Sequence, residues 1–359
     1  MPFICREGRK LREVILSVKD LKIHYPIKMK VKGKIWSQKN KVQAVNGISF
    51  DVYKGETLGI VGESGCGKST SGRAIVRLER PTSGQILYKG EDIWSYGREQ
   101  LFEYRKKAQM IFQDAYSTLD PRFTIGRSIC EPMVIHKAGS REENEKQARK
   151  LMRDVGLPET YYDRYPHEFS GGQRQRIGVA RALALNPEIL VCDEPVSALD
   201  VSVQAQILNL MKELQEKFSL TYIFISHNLS VVKHLCDRIG VIYLGNMVEL
   251  SEKDELFGNM LHPYTRALIS AIPIPDPAFK RRKVILEGDV PTPINPPKGC
   301  PFATRCTYAT ELCRAEKPAL EDVGKGHFVA CHIYGGRRQE MNGQMLRAGI
   351  MPPQRESLL

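Results

Sequence analysis

The chain has 359 residues, 42% hydrophobic and 26% charged, with a formal net charge of +12, enough for one large domain with a buried core and an appendage. No run approaches the roughly 18 apolar residues of a membrane span, and Met1-Pro2-Phe3-Ile4-Cys5-Arg6 lacks a signal-peptide apolar core. An integral membrane protein is therefore not expected, and a cytosolic chain that meets membrane only through partners is; the charge suits polyphosphate or anionic headgroups, and equally nucleic acid.

Residues 1–13 read as a polar extension, and 14–60 as strands, with Ile48, Phe50 and Val52 alternating before a Gly-rich segment. The basic stretch from Lys28 to Lys41, with Trp36 inside it, reads as a solvated insertion between two early strands rather than a nucleic-acid reader. Thr57-Leu58-Gly59-Ile60-Val61 suits a buried strand. It leads into Gly62-Glu63-Ser64-Gly65-Cys66-Gly67-Lys68-Ser69-Thr70, which fits G-x-x-x-x-G-K-[ST], a loop whose small residues let backbone N–H groups close around a polyphosphate at a helix N-terminus. Gln109-Met110-Ile111-Phe112 is strand-like and ends at Gln113, and 124–168 turns helical and charged. Ser170-Gly171-Gly172-Gln173 then opens a helix with Ile177, Ala180 and Ala184 on one face. Ile189-Leu190-Val191-Cys192 is an apolar strand ending at Asp193-Glu194. Val203, Ile207, Leu210, Leu214 and Phe218 give an amphipathic helix over 202–218, and Tyr222-Ile223-Phe224-Ile225-Ser226 is a strand ending at His227.

These motifs together resemble the ATP-binding cassette family, which implies an α/β fold: a P-loop cassette with a mixed core sheet, an antiparallel β subdomain and an inserted helical subdomain at about 124–185. By this resemblance Lys68 and the loop amides hold the β- and γ-phosphates of ATP. Ser69, Gln113 and Asp193 hold Mg²⁺, Glu194 is the general base, and His227 contacts the γ-phosphate. Ser170, Gly171 and Gly172, followed by Gln173, face an ATP seated on the opposite subunit. Asp200 ends the D-loop Ser197-Ala198-Leu199-Asp200, which touches its counterpart across the dimer. Tyr25 is preferred over Tyr53 as the aromatic that stacks on adenine. Asn228 stands where relatives commonly carry Asp, which bears on local hinge contacts. With one phosphate loop and no internal repeat, the chain supplies half of each composite site, so two cassettes must meet.

Beyond 260, His262-Pro263-Tyr264-Thr265-Arg266-Ala267-Leu268, the Pro-rich Ile272-Pro273-Ile274-Pro275-Asp276-Pro277 and Asn295-Pro296-Pro297-Lys298-Gly299-Cys300-Pro301-Phe302 resemble the C-terminal extension of peptide-importer ATPases. The group is the oligopeptide and dipeptide permease family, nickel importers included, and the chain looks more like its dipeptide F-type subunit than its D-type partner. The resemblance implies import of di- or oligopeptides at the cytoplasmic face of the cell membrane. It also implies a second cassette ATPase as partner, a paralogue rather than a copy, two permeases, and indirectly an extracellular binding protein. Rival readings are a nickel importer, an exporter engine, or a soluble cassette acting on nucleic acid; the last usually fuses two cassettes or carries a long coiled coil, and this chain has neither.

Nine cysteines in a cytosolic chain argue against a disulfide framework. Cys5, Cys66, Cys130, Cys192 and Cys236 are scattered, whereas Cys300, Cys306, Cys313 and Cys331 gather in a short Pro-rich segment. Four soft ligands at that spacing suit an iron–sulfur cluster better than tetrahedral Zn²⁺, with unligated thiols the remaining choice; members of the group can carry a [4Fe–4S] cluster here. The expected divisions are therefore 1–13, a cassette over 14–265, an extension over 266–335, and a polar, flexible tail over 336–359.

Overall fold

The computed structural model describes residues 12–30, 37–114, 117–272, 286, 288 and 290–347. The N-terminal extension as far as 11, Trp36, the Pro-rich run over 273–285 and the tail beyond 347 lie outside the described residues. In chain order the elements are β1 (Val14–Lys30), β2 (Ser37–Tyr53), β3 (Thr57–Val61), α1 (Lys68–Ile75), β4 (Ser83–Tyr88), β5 (Glu91–Asp92), α2 (Arg98–Lys107), β6 (Ala108–Ile111), α3 (Ile125–Ile135), α4 (Arg141–Asp154) and α5 (Gly171–Leu183). They continue with β7 (Ile189–Asp193), α6 (Val201–Phe218), β8 (Thr221–Ser226), α7 (Leu229–Leu235), β9 (Arg238–Tyr243), β10 (Asn246–Glu252), α8 (Lys253–Gly258), α9 (Pro263–Ser270), α10 (Glu311–Ala315), β11 (Glu321–Asp322), β12 (Phe328–Val329) and α11 (Arg338–Arg347). None of the described helices is long and apolar enough to cross a membrane.

Two compact units share the chain, and they do not divide at 265. The first takes the described residues as far as Lys19, then 49–56 and 85–223; the second takes 20–48, 57–84 and the chain from 224 onward. Within the first unit, β4 and β5 pair antiparallel, Leu87 facing Asp92. β6 and β7 pair in parallel from Ala108↔Ile189 to Ile111↔Cys192, and every residue of β7 is buried, as a strand covered on both faces requires. The helical part is α3, α4 and α5, packed through Ile129, Leu151, Met152 and Ile177, all fully buried. Its helix starts are set locally: Ser140 and Glu143 exchange side-chain and backbone hydrogen bonds at the head of α4, and Ser170 and Gln173 do the same for α5.

Within the second unit the order β11-β12-β10-β9-β3 places the apolar β3 beside β9 in parallel, Leu58↔Arg238 to Val61↔Val241. β9 and β10 are joined by Leu244-Gly245, both at positive φ (44° and 73°), which is the two-residue hairpin geometry whose twist matches the strands. β12 extends the sheet antiparallel to β10, so the C-terminal extension is built onto the cassette sheet rather than hung from it. The tail expected to be flexible from 336 instead forms α11 as far as Arg347. Met341 and Met345, four residues apart, are fully buried; two apolar side chains one turn apart suffice to dock this otherwise polar helix.

At the start of α9, His262 is buried and its Nδ1 accepts a hydrogen bond from the Tyr264 N–H at 3.1 Å, so the ring acts as a neutral helix cap. Burial lowers its pKa from 6.5 to about 4. A folded pKa below the unfolded one means that the unfolded chain takes up the proton first, so stability is lost as pH falls from 6.5 toward 4. We expect that loss to reach about 3 kcal/mol from this group. His262→Asn, which keeps a capping oxygen but does not titrate, should flatten the dependence of urea midpoint on pH in that window; an unchanged slope would assign the dependence elsewhere.

Candidate functional site

The phosphate loop lies in the second unit, between the buried β3 and α1. Gly67, at the N-cap of α1, has φ +101° and a Cβ there would sit 2.1 Å from the Ala44 carbonyl oxygen, so neither the backbone nor the space admits a side chain. Gly67 also offers no side-chain acceptor to the first-turn N–H groups, which suits a helix start that receives an anion. Lys68 is buried, and its Nζ donates to the carbonyls of Gly62 (2.8 Å) and Glu63 (2.9 Å), folding the loop about its own ammonium. Cys66, within the loop, is buried with its Sγ 3.8 Å from Lys68 Nζ, and burial raises its thiol pKa.

Other predicted residues of this unit gather on the same loop. Tyr25, on β1 and 37% exposed, has its pKa raised by burial and then by Glu79, and its hydroxyl bonds toward Thr70 at the end of the loop. Tyr53, the competitor, sits at the end of β2, in the stretch that belongs to the first unit. His227 is exposed at the end of β8 and lines, with Glu63, Asn228 and Tyr264, a cleft of about 550 Å³. Asn228 caps α7, its Oδ1 accepting from the N–H of Ser230 (3.0 Å) and Val231 (3.5 Å), so the exchange from Asp preserves the cap.

The remaining predicted residues belong to the first unit. Asp193 is buried at the end of β7, and Glu194, at φ 48°, follows it. The turn is held by the Glu194 carbonyl, which accepts from the Ser197 N–H (3.2 Å) and hydroxyl (3.1 Å). Gln113, beyond β6, donates from Nε2 to Glu194 Oε2 at 3.1 Å, so the parallel pairing of β6 with β7 brings amide and carboxylate together. Ser170 Oγ accepts from the Gln173 N–H at 3.3 Å, and Gln173 answers to the Ser170 N–H at 3.0 Å. A Cβ on Gly172 would stand 2.4 Å from Val203 Cγ1, which fixes this helix start against α6. Asp200 stands at the N-cap position of α6 without a side-chain capping bond, and the amide of Gln204 donates to the Val196 (2.9 Å) and Leu199 (2.8 Å) carbonyls, tying the D-loop down. The oxygen donors named for Mg²⁺, from Ser69, Gln113 and Asp193, are of the kind that ion takes.

Cys300 and Cys313 are buried, and Cys306 and Cys331 half-buried, around a single cavity of about 20 Å³, room for one water-sized sphere. Burial pushes the Cys300 thiol up to about 12 and the Cys306 thiol to about 11, and raises that of Cys331. Among the described residues no group of three or more His, Cys, Asp or Glu side chains is arranged to hold a metal ion. The four thiols line one cavity and are soft donors by chemistry, but they are not arranged as a metal-holding group.

Two residues outside the sequence prediction touch the phosphate loop. Tyr264 accepts the Glu63 N–H at 2.9 Å, and Arg305 Nη1 donates to both Glu63 carboxylate oxygens, at 3.0 and 3.3 Å. Their signal was present only as position, Tyr264 inside the His262–Leu268 motif and Arg305 immediately before Cys306.

A family model described as "ABC transporter" matches residues 45–197, and one described as "Oligopeptide/dipeptide transporter, C-terminal region" matches 248–313. The chain is similar to the oligopeptide transport ATP-binding protein AppF of Bacillus subtilis, 53% identical over 90% of this chain and 98% of that protein. It is 50% identical to the oligopeptide transport ATP-binding protein OppF of Escherichia coli over 90% of this chain and 97% of that one. It is 48% identical to the di/tripeptide transport ATP-binding protein DppF of Pseudomonas aeruginosa over 89% and 98%. Among solved structures, the ATP-binding cassette MJ0796, a dimer in a post-hydrolysis state with ADP and Pi, superposes with a TM-score of 0.57 at 28% identity, covering 66% of this chain and 98% of that one. The cbiO1 protein of Clostridium perfringens, part of the ABC transporter complex cbiONQ, does so with a TM-score of 0.58 at 26% identity, covering 68% and 91%.

Proposed function

The chain belongs to the oligopeptide/dipeptide-transporter ATPases of the ABC family, and we propose that it is the F-type ATP-binding subunit of a peptide importer. It hydrolyses ATP to drive uptake of di- or oligopeptides through partner permeases, from the cytoplasmic face of the membrane. The observation that carries this is the pairing of a cassette with the peptide-transporter extension in one chain, over nearly the whole length of its peptide-transport relatives.

In the mechanism the chain's residues support, Lys68 leaves the Gly62 and Glu63 carbonyls to neutralise the β- and γ-phosphates, together with the N–H groups at the head of α1. Ser69, Gln113 and Asp193 would hold Mg²⁺, which screens the charge of the transferring phosphoryl group. Glu194 takes the proton of the attacking water, and Gln113 fixes its carboxylate; His227 orients the γ-phosphate side. Ser170, Gly171 and Gly172 serve the ATP of the opposite cassette, a paralogue, so that closure of the pair moves the permeases.

Mild-detergent pull-down of the tagged chain from its host tests this. Two permeases and a second cassette ATPase are expected; ribosomes or DNA-repair proteins without a membrane subunit would overturn transport, and nickel-importer permeases would change the cargo. For Cys300, Cys306, Cys313 and Cys331 we propose a [4Fe–4S] cluster, supported by four soft ligands around one cavity. Anaerobic purification followed by iron and sulfide assay should find both elements; zinc alone, or neither, would dismiss the cluster.

A further inference from the structure

We infer that Arg305 is a positioning residue for the ATP site, reaching from the cysteine-bearing extension to hold and neutralise Glu63 of the phosphate loop. Both belong to the same compact unit. The polar groups of Glu63 are all engaged. Its N–H donates to Tyr264 Oη at 2.9 Å, its carbonyl accepts from Lys68 Nζ at 2.9 Å, and its carboxylate receives Arg305 Nη1 on both oxygens, at 3.0 and 3.3 Å. The residue against which Lys68 rests is thus clamped from outside the loop by α9 and by the extension.

Arg305 itself has little freedom. Its side chain is 8% exposed, against 31% for Glu63, and its guanidinium lies 5.9 Å from the Tyr243 ring centroid. Tyr243, Tyr264 and Phe302 pack on one another with centroids 4.7 to 5.5 Å apart, so the arm that carries Arg305 is seated on an aromatic triad. The chemistry explains why a cation is wanted there. Glu63 is a carboxylate inside a loop that must receive a polyanion, and a like charge in that loop opposes binding unless a buried partner offsets it. Glu63 lines one cleft together with Tyr264 and with His227, the residue proposed above for the γ-phosphate side.

The inference rests on the ATP-binding reading above, and the test separates the two. Titrating the purified full chain with mant-ATP, we expect Arg305→Met to bind about tenfold more weakly than wild type, and Arg305→Lys, which keeps the charge but not the fork, about threefold. In a Glu63→Gln background the Arg305→Met change should cost less than about twofold, because no charge remains to neutralise. A purely structural brace would give the same loss in both backgrounds and would overturn the inference, as would wild-type affinity in Arg305→Met. Should Arg305→Met not fold, wild-type affinity in Arg305→Lys overturns it. A wild-type chain that fails to bind mant-ATP would remove the ATP reading and the inference with it.

Discussion

Glu194→Gln is expected to lower ATP turnover by about 10²- to 10⁴-fold while leaving ATP binding in place. The geometry separates the two effects. Gln113 Nε2 donates to Glu194 Oε2 at 3.1 Å, and the amide oxygen of a glutamine there can accept the same hydrogen bond. The Ser197 bonds that shape the turn fall on the Glu194 backbone carbonyl, which the substitution does not touch. What disappears is only the capacity to take a proton from water. With bound ATP no longer consumed, the variant and its partner cassette should remain associated in the presence of ATP. Single-turnover phosphate release, with mant-ATP affinity measured alongside, checks this. Turnover within about threefold of wild type would remove Glu194 from the role of base.

Much of this site was legible in the sequence because its chemistry is local. A loop that must wrap phosphate needs Gly67 at positive φ, and a carboxylate at a strand end needs a buried apolar run before it, so spacing alone carries both. The capping pair Ser170–Gln173 is likewise a three-residue event. What sequence pattern could not show is contact across long separations. Arg305 and Glu63 are 242 residues apart, and neither an isolated Arg nor an isolated Glu announces a partner. The joining of the extension to the cassette is of the same long-range kind. A break at 265 is natural in composition, yet β12 pairs with β10, and its anchor, His327, is an ordinary histidine in sequence. The helix in the tail gives no periodic signal because Met341 and Met345 are too few, although both are buried and Met341 lies against Thr310 and Cys313.

The largest stability effect is expected at Glu249, on β10, where Glu249→Ala should cost about 3–5 kcal/mol in urea unfolding. Its side chain is wholly buried. Oε1 accepts from the Leu261 N–H at 2.8 Å and lies 2.7 Å from His327 Nε2, and Oε2 accepts from the His262 N–H at 3.0 Å. Removing it leaves two buried backbone donors and an imidazole nitrogen without their partner. Glu249→Gln restores one acceptor but turns an NH₂ toward donors, so an intermediate loss is expected, and a loss below about 1 kcal/mol for the alanine variant would mean that water enters and replaces the carboxylate. The consequence reaches the ATP site, because the N–H groups that Glu249 holds lead directly into α9, and α9 carries Tyr264 to the Glu63 N–H. Glu249 ties β12 of the extension and the head of α9 to one strand, while Arg305 and Tyr264 carry that rigidity to the phosphate loop. In variants of Glu249 that still fold, affinity for mant-ATP should therefore fall along with stability; affinity that stays at the wild-type value would show the extension to be bound to the cassette without bracing its loop.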